Sequence, residues 1–316
     1  MKVNPAQVPL HRSDNGAETL DLSEAAPLSQ FGAYRETLPP GAVSSDRHWH
    51  ESEDEFLYVL SGNLTAIDDD GAHPLAPGDA VCWRHGEPNA HHLRNDSAAP
   101  AIYLIVGSRV LGDVCHYPDT GERQVNGETD WALLDADGTR ITGGDLPAPL
   151  LGLSPRWGKA WDGTRHPRII RKGTAKTDAP TAEQAAALGH FSAELLSDTG
   201  GLTQFGAFTE TLAPGSSSSH RHWHENEDEF LYMLDGHATL IEDDGPEPLR
   251  PGDAACWKAG VPNGHHVVNR SDAPCTYLVI GTRAENDRVH YSDIDKLYSR
   301  QNGTVTRTKR DGSPLD

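Results

Sequence analysis

One block of sequence is written twice in this chain, and that repeat restricts the possible folds more than any other feature. FGAYRETLPPG from Phe31 returns as FGAFTETLAPG from Phe205, and RHWHESEDEFLYVLSG from Arg47 returns as RHWHENEDEFLYMLDG from Arg221, both 174 residues later. PGDAVCWRHGEPNAHHLRN from Pro77 matches PGDAACWKAGVPNGHHVVN from Pro251, IYLIVGSR from Ile102 matches TYLVIGTR from Thr276, and HYPD at His116 matches HYSD at His290. The offset never changes, so nothing has been inserted or deleted between the paired blocks, and each copy reads as one domain. At 316 residues the chain has room for two domains that each bury a core. The expected division is a first domain over 21–120, a connecting segment over 121–194, a second domain over 195–294 and a C-terminal tail over 295–316. The stretch before Asp21 reads as an arm. PTAEQAAALG, from Pro180, is the best short helix of the connecting segment.

Within each copy the runs FLYVLSG and LTAID, or FLYMLDG and ATLIE, are short and rich in branched and aromatic residues. DDG, PGD and similar turns interrupt them, as expected of closely spaced strands. Two all-β domains of the double-sheet sandwich or barrel kind follow.

Composition excludes several classes of function. No apolar run approaches the roughly 20 residues needed to span a membrane, and the amino terminus shows no secretory pattern, so a cytoplasmic, non-membrane protein is expected. The formal charge of -20 repels a phosphate backbone and disfavours nucleic acid as a partner. Cys82, Cys115, Cys256 and Cys275 show no CxxC spacing and read as reduced, buried thiols.

Chemistry concentrates in HWHESEDE and its copy. His48 and His50 stand two apart, as do His222 and His224, so on a strand both imidazoles of a pair face one way. Glu55 and Glu229 follow after a turn, and a carboxylate with two imidazoles suits a borderline divalent metal. A third imidazole is available from His91 or His92, and from His265 or His266; neighbours on a strand face opposite ways, so one of each pair points inward. Glu53, Asp54, Glu227 and Asp228 read as a solvated acidic loop, and Trp49 and Trp223 as packing on the opposite face.

These residues resemble the cupin superfamily. Its first motif, G-x5-HxH-x3,4-E-x6-G, is met from His48 through Glu55 to Gly62 and from His222 through Glu229 to Gly236, with Gly41 and Gly215 one position from the entering glycine. Its second, G-x5-PxG-x2-H-x3-N, is met by Gly78, Gly86, His91 and Asn95 and by Gly252, Gly260, His265 and Asn269. Arg84 and Lys258 replace the motif proline, and the gap from glycine to histidine is two residues longer. The H-x3-N spacing selects His91 and His265 as the third imidazoles. The resemblance is to a two-domain member, or bicupin, of a little-characterised bacterial branch.

The resemblance implies two tandem jelly-roll β-barrels, each holding one divalent first-row transition metal: Fe(II), Mn(II), Ni(II) or Zn(II). The implied ligands are His48, His50, Glu55 and His91, then His222, His224, Glu229 and His265. An octahedral ion so held keeps two positions for a small-molecule substrate, and a dioxygenase-type oxidoreductase is the expected activity. A metal-dependent decarboxylase, isomerase or lyase, and a non-catalytic module binding a small molecule or sugar, are the alternatives. Tyr58, Tyr232, Arg109 and Arg283 recur in both copies as candidate catalytic residues; Trp83 and Trp257 recur beside them. The arginines could pair with Asp119 and Asp293 or grip a substrate carboxylate. Self-association of barrels into a homo-oligomer is the remaining partner expected.

Overall fold

A computed structural model describes residues 1–24, 27–146 and 154–315. The first half runs β1 (Lys2–Val3), β2 (Leu10–Arg12), β3 (Glu18–Asp21), β4 (Phe31–Leu38), β5 (Trp49–His50), β6 (Glu55–Ser61), β7 (Leu64–Asp68), β8 (Gly71–Leu75), β9 (Ala80–Trp83), β10 (His92–Arg94), β11 (Ala101–Ser108) and β12 (Val114–Tyr117). Then come β13 (Glu122–Asn126), β14 (Asp130–Leu134), β15 (Arg140–Asp145), β16 (Ile169–Ile170), β17 (Lys176–Asp178), α1 (Ala182–Leu188), β18 (Phe191–Leu195) and α2 (Leu196–Gly200). The second copy supplies β19 (Phe205–Leu212), β20 (His222–His224), β21 (Glu229–Asp235), β22 (Ala238–Glu242), β23 (Gly245–Leu249), β24 (Ala254–Trp257), β25 (His266–Val268), β26 (Cys275–Thr282), β27 (Asp287–Tyr291), β28 (Leu297–Gln301) and β29 (Thr304–Thr308). The expected helix is α1, whose Thr181 accepts from the Gln184 amide while the Gln184 side chain returns the bond, a reciprocal cap that ends the run of orphan amides.

Each domain is built on a seven-stranded antiparallel sheet, β16-β9-β6-β11-β4-β3-β2 in the first and β1-β24-β21-β26-β19-β18-β17 in the second. A three-stranded sheet faces it, β10-β7-β8 or β23-β22-β25. A further sheet, β15-β14-β13-β12-β5 or β20-β27-β28-β29, carries the HxH strand. β13–β15 and β28–β29 thus extend the sheets of their domains from the stretches assigned above to the connecting segment and the tail.

The expected closed jelly-roll barrel is corrected: the hydrogen bonding of each domain is divided among three separate open sheets. The break falls where the chain turns sharply between β6 and β7. Gly62 sits there at φ +76°, and a Cβ on it would come within 2.8 Å of the Pro100 carbonyl oxygen, so the turn depends on glycine. Among the described residues, isolated bridges such as Val43 with Arg94 and His48 with His91 link segments of the first domain beyond that corner.

The apolar runs are uninterrupted because both faces of the large sheets are covered, which removes the polar alternation of a half-exposed strand. Along β6, Leu57 and Val59 turn inward to Leu64, Ala66, Leu75, Leu93 and Tyr103, while Phe56 and Tyr58 turn outward. That outward face packs on its counterpart to form one core shared by both domains, with Phe31, Phe56, Phe205 and Phe230 all fully buried in it. The rings of Phe31 and Phe205 lie 6.2 Å apart between the copies.

The domains also exchange edge strands. The amino-terminal arm crosses to the second domain, where β1 pairs with β24, Lys2 opposite Ala255. β16, from the segment between the copies, crosses back to pair with β9, Ile169 opposite Val81. Val81 and Ala255 are equivalent positions of the repeat, so the exchange is reciprocal. No helix among the described residues is long and apolar enough to cross a membrane.

Candidate metal centres

β5, β6 and the residues just before β5 and β10 bring one set of donors together in the first domain. Period-2 geometry puts His48 and His50 on one face, and the antiparallel bridge between His48 and His91 brings the third imidazole alongside. Glu55 opens β6 and points its carboxylate among them: its Oε2 lies 2.8 Å from Nε2 of His91, 3.8 Å from Nε2 of His48 and 3.9 Å from Nε2 of His50. Donors bound about 2.1 Å from one ion lie roughly 3 Å apart when adjacent, so small rotations suffice to surround a cation. In the second domain Oε2 of Glu229 lies 2.7 Å from Nε2 of His265 and 3.7 Å from Nε2 of His224. The donors of His222, Glu229 and His265 gather within 4.8 Å of one another, as do those of His48, Glu55 and His91.

Every imidazole is held by its other nitrogen. Nδ1 of His48 donates to the Asp46 carbonyl at 2.9 Å, that of His50 to Asp113 at 2.6 Å, and that of His91 to the Asn89 carbonyl at 3.1 Å. In the second domain the acceptors are the His220 carbonyl at 3.0 Å, Asp287 at 2.7 Å and the Asn263 carbonyl at 3.2 Å. Carbonyls and carboxylates can only accept here, so each Nδ1 carries a proton and each Nε2 is left to face the centre, where it binds an ion once it gives up any proton of its own. Trp83 and Trp257 stack on His91 and His265 with ring centroids 4.0 and 3.9 Å apart, which fixes the ring planes. The donor set fits a divalent first-row ion, one in each domain.

Electrostatics point the same way. Burial alone would push the Glu55 carboxyl up, but His50, His48 and His91 hold it well below the usual carboxylate range; Glu229 is lowered likewise. His50 is raised despite burial, chiefly by Asp113, and His224 reaches about 9 through Glu229 and Asp287, again against burial. Burial lowers His222 to about 4. A cation at either centre would take the place of the proton that these carboxylates now favour.

His92 and His266 turn the other way, each giving Nδ1 to a backbone carbonyl, of Ser45 or Ser219, although both still edge the cavities beside the donors. Those cavities measure about 180 Å³ in the first domain and about 190 Å³ in the second. Glu36 and Tyr103 line one, Glu210 and Tyr277 the other, and in each pair the phenol donates a hydrogen bond to the carboxylate. Neither lining includes lysine or arginine.

The other candidates lie elsewhere. Tyr58 and Tyr232 line a separate cleft of about 600 Å³ between the domains. Arg109 is buried and donates to the Leu28 carbonyl and the Tyr34 hydroxyl; Arg283 donates to the Leu202 carbonyl and pairs with Asp198. Asp119 and Asp293 are taken by Arg47 and Arg221. Trp49 and Trp223 stack on His116 and His290. The solvated acidic loop is a further correction: Asp54 and Asp228 are fully buried, and Glu53 and Glu227 are held by the amides of Val110 and Ala284.

Reasoning from motifs missed Asp113 and Asp287, which orient His50 and His224. Their signal is present, since DVCHY and DRVHY align at the repeat offset. It also missed the Glu36–Tyr103 and Glu210–Tyr277 pairs, which lie in FGAYRET and FGAFTET with a tyrosine 67 residues on.

Fold and donors define a duplicated β protein with, in each half, a histidine–carboxylate cluster that could hold a metal ion. The chain belongs to the cupin superfamily as a two-domain member: the cupin domain family matches residues 34–107 and 208–281. It is similar to the structure of a sugar phosphate isomerase of the cupin superfamily from Silicibacter pomeroyi, with 42% identity over 45% of this chain and 90% of that one, at a TM-score of 0.42. It is similar over most of its length to oxalate decarboxylase from Lactobacillus farciminis, with 17% identity, 89% of this chain and 86% of that one covered, and a TM-score of 0.55. Protein Ylba from E. coli matches at 15% identity over 89% of this chain and 90% of that one, with a TM-score of 0.55. No curated protein matches the chain. The dioxygenase-type activity expected above gains no support from these likenesses, and that expectation is withdrawn.

Proposed function

We propose that the protein is a metal-dependent enzyme acting on a small organic molecule, as an isomerase, decarboxylase or lyase. One observation carries this reading: in both copies three imidazoles, each anchored through Nδ1, turn Nε2 towards a single carboxylate at the wall of a small cavity. A divalent ion held there supplies Lewis acidity to a carbonyl or hydroxyl oxygen. The chain supplies the rest. Leu57, Trp83 and Ile105, or Leu231, Trp257 and Val279, make the apolar wall that excludes water. The Glu36–Tyr103 and Glu210–Tyr277 pairs offer hydroxyl and carboxyl groups on the same walls. Burial pushes Glu210 up to about 7, so it holds a proton near neutral pH and can exchange it. With no lysine or arginine in either lining, the walls suit a hydroxylated substrate. Isomerisation, the reaction type in the name of the Silicibacter pomeroyi protein, belongs to this class.

The test begins with the elemental content of protein purified without chelator. Chain loaded anaerobically with Mn(II), Fe(II), Ni(II) or Zn(II) is then incubated in D2O with small hydroxyaldehydes and hydroxyketones, and loss of C–H signal is followed by proton NMR. Metal-dependent exchange that disappears in the paired variant His48→Ala, His222→Ala is expected. Equal turnover by metal-stripped protein, or no first-row metal bound at all, overturns the reading.

A further inference from the structure

The two centres share their three histidines and glutamate but differ one residue away. Cys115 lies on β12 directly opposite His50 of β5, and residues paired across an antiparallel ladder turn their side chains to the same face. Its Sγ and a ring nitrogen of each of His48 and His50 all lie within 4.8 Å of one another. The thiol is buried at 5% exposure and forms no disulfide. In the second domain the same strand pairing recurs, with Val289 opposite His224. There the thiol is replaced by an isopropyl group on an equivalent backbone.

We infer that the two metal centres are chemically distinct: Cys115 gives the first a sulfur donor that the second lacks, so the first prefers a softer ion such as Zn(II) or Co(II). This rests on the proposed metal-dependent function. Thiolate donors favour zinc and cobalt over manganese, while a set of imidazoles and one carboxylate discriminates less. Binding there releases the thiol proton to solvent as the sulfur–metal bond forms. The other cysteines cannot imitate the effect. Cys82 and Cys256 lie in the core between the domains, and Cys275 lies within the apolar core of the second domain.

Cobalt tests this on the full-length, metal-stripped chain, because sulfur-to-Co(II) charge transfer absorbs in the near ultraviolet whereas d–d bands in the visible report every bound cobalt. Two equivalents of visible absorption with one equivalent of charge-transfer band are expected. Cys115→Ser and Cys115→Val should keep the two equivalents and lose the near-ultraviolet band; Val289→Cys should add a second one. The valine variant copies the natural second domain, so its folding, checked by circular dichroism, is provided for. Two equivalents of cobalt with no charge-transfer band, or a band that survives in Cys115→Ser, overturns the inference and leaves the metal-dependent function standing. Failure to bind cobalt or zinc at all overturns both.

Discussion

Asp113 shows how much of a centre lies outside its ligands. Its carboxylate accepts hydrogen bonds from Nδ1 of His50 and from the Ser52 amide, as that of Asp287 does from His224 and the Asn226 amide. Asp113→Asn should weaken metal binding at the first centre by about 10- to 100-fold, since partners of this kind contribute that much, and leave the second unchanged; competition with a chromogenic chelator measures both. Glu210 makes a pH prediction. Burial, only partly offset by the Tyr277 hydroxyl, raises it from 4.5 to about 7, with Asp178 the nearby charge acting in the same direction. The folded state therefore binds the proton more tightly than the unfolded chain. That stabilisation is complete below pH 4.5 and is lost as pH rises through about 7. Relative to Glu210→Gln, the natural protein should lose stability over that window by on the order of 3 kcal/mol at most, read from urea midpoints at successive pH values. The HxH pair and its glutamate were legible because their letters and spacing are specific. Asp54 and Asp228 were not, since an acidic residue looks the same in sequence whether water or a buried amide surrounds it.

At the scale of elements, the strands were legible and their partners were not. β6 and β21 announce themselves as apolar runs, yet nothing in KV or II says that two-residue strands will close the edge of another domain's sheet. Those pairings join residues more than 80 positions apart, and β1 is further held by ion pairs from Met1 to Glu242 and Lys2 to Asp253. Deleting residues 1–4 should uncover the edge of β24 and release the buried Val3 side chain. A loss of about 2 kcal/mol follows from the apolar area alone, and hydrogen exchange should rise along Ala254–Trp257 while β9 stays protected. The open sheets have a comparable cause, because Gly62 and Gly236 turn the chain from one sheet to the next instead of letting one ladder run on. Gly62→Ala forces a Cβ against Pro100 at positive φ and should cost at least 1 kcal/mol, measurable as a lowered urea midpoint.

For the whole molecule, the repeat foretold two domains but not that they would share a core. Asp54 accepts the amides of Thr203 and Gln204, and Asp228 accepts those of Ser29 and Gln30, so each copy reaches across with the same carboxylate. Gln204 and Gln30 return the bonds to the amides of Asp54 and Asp228. With the phenylalanine cluster also shared, the chain should unfold in one calorimetric transition despite its two domains. Asp54→Ala, which leaves buried amides unpaired, should lower stability by roughly 2–4 kcal/mol, and two separated melting steps would contradict this account. The exchanged strands have a last consequence. Were the copies separate chains, each would borrow its edge strand from a neighbour and lose it on dilution. Here the lender is tethered, its effective concentration is set by the linker rather than by the protein, and the sheets behind both centres stay complete however scarce the molecule becomes.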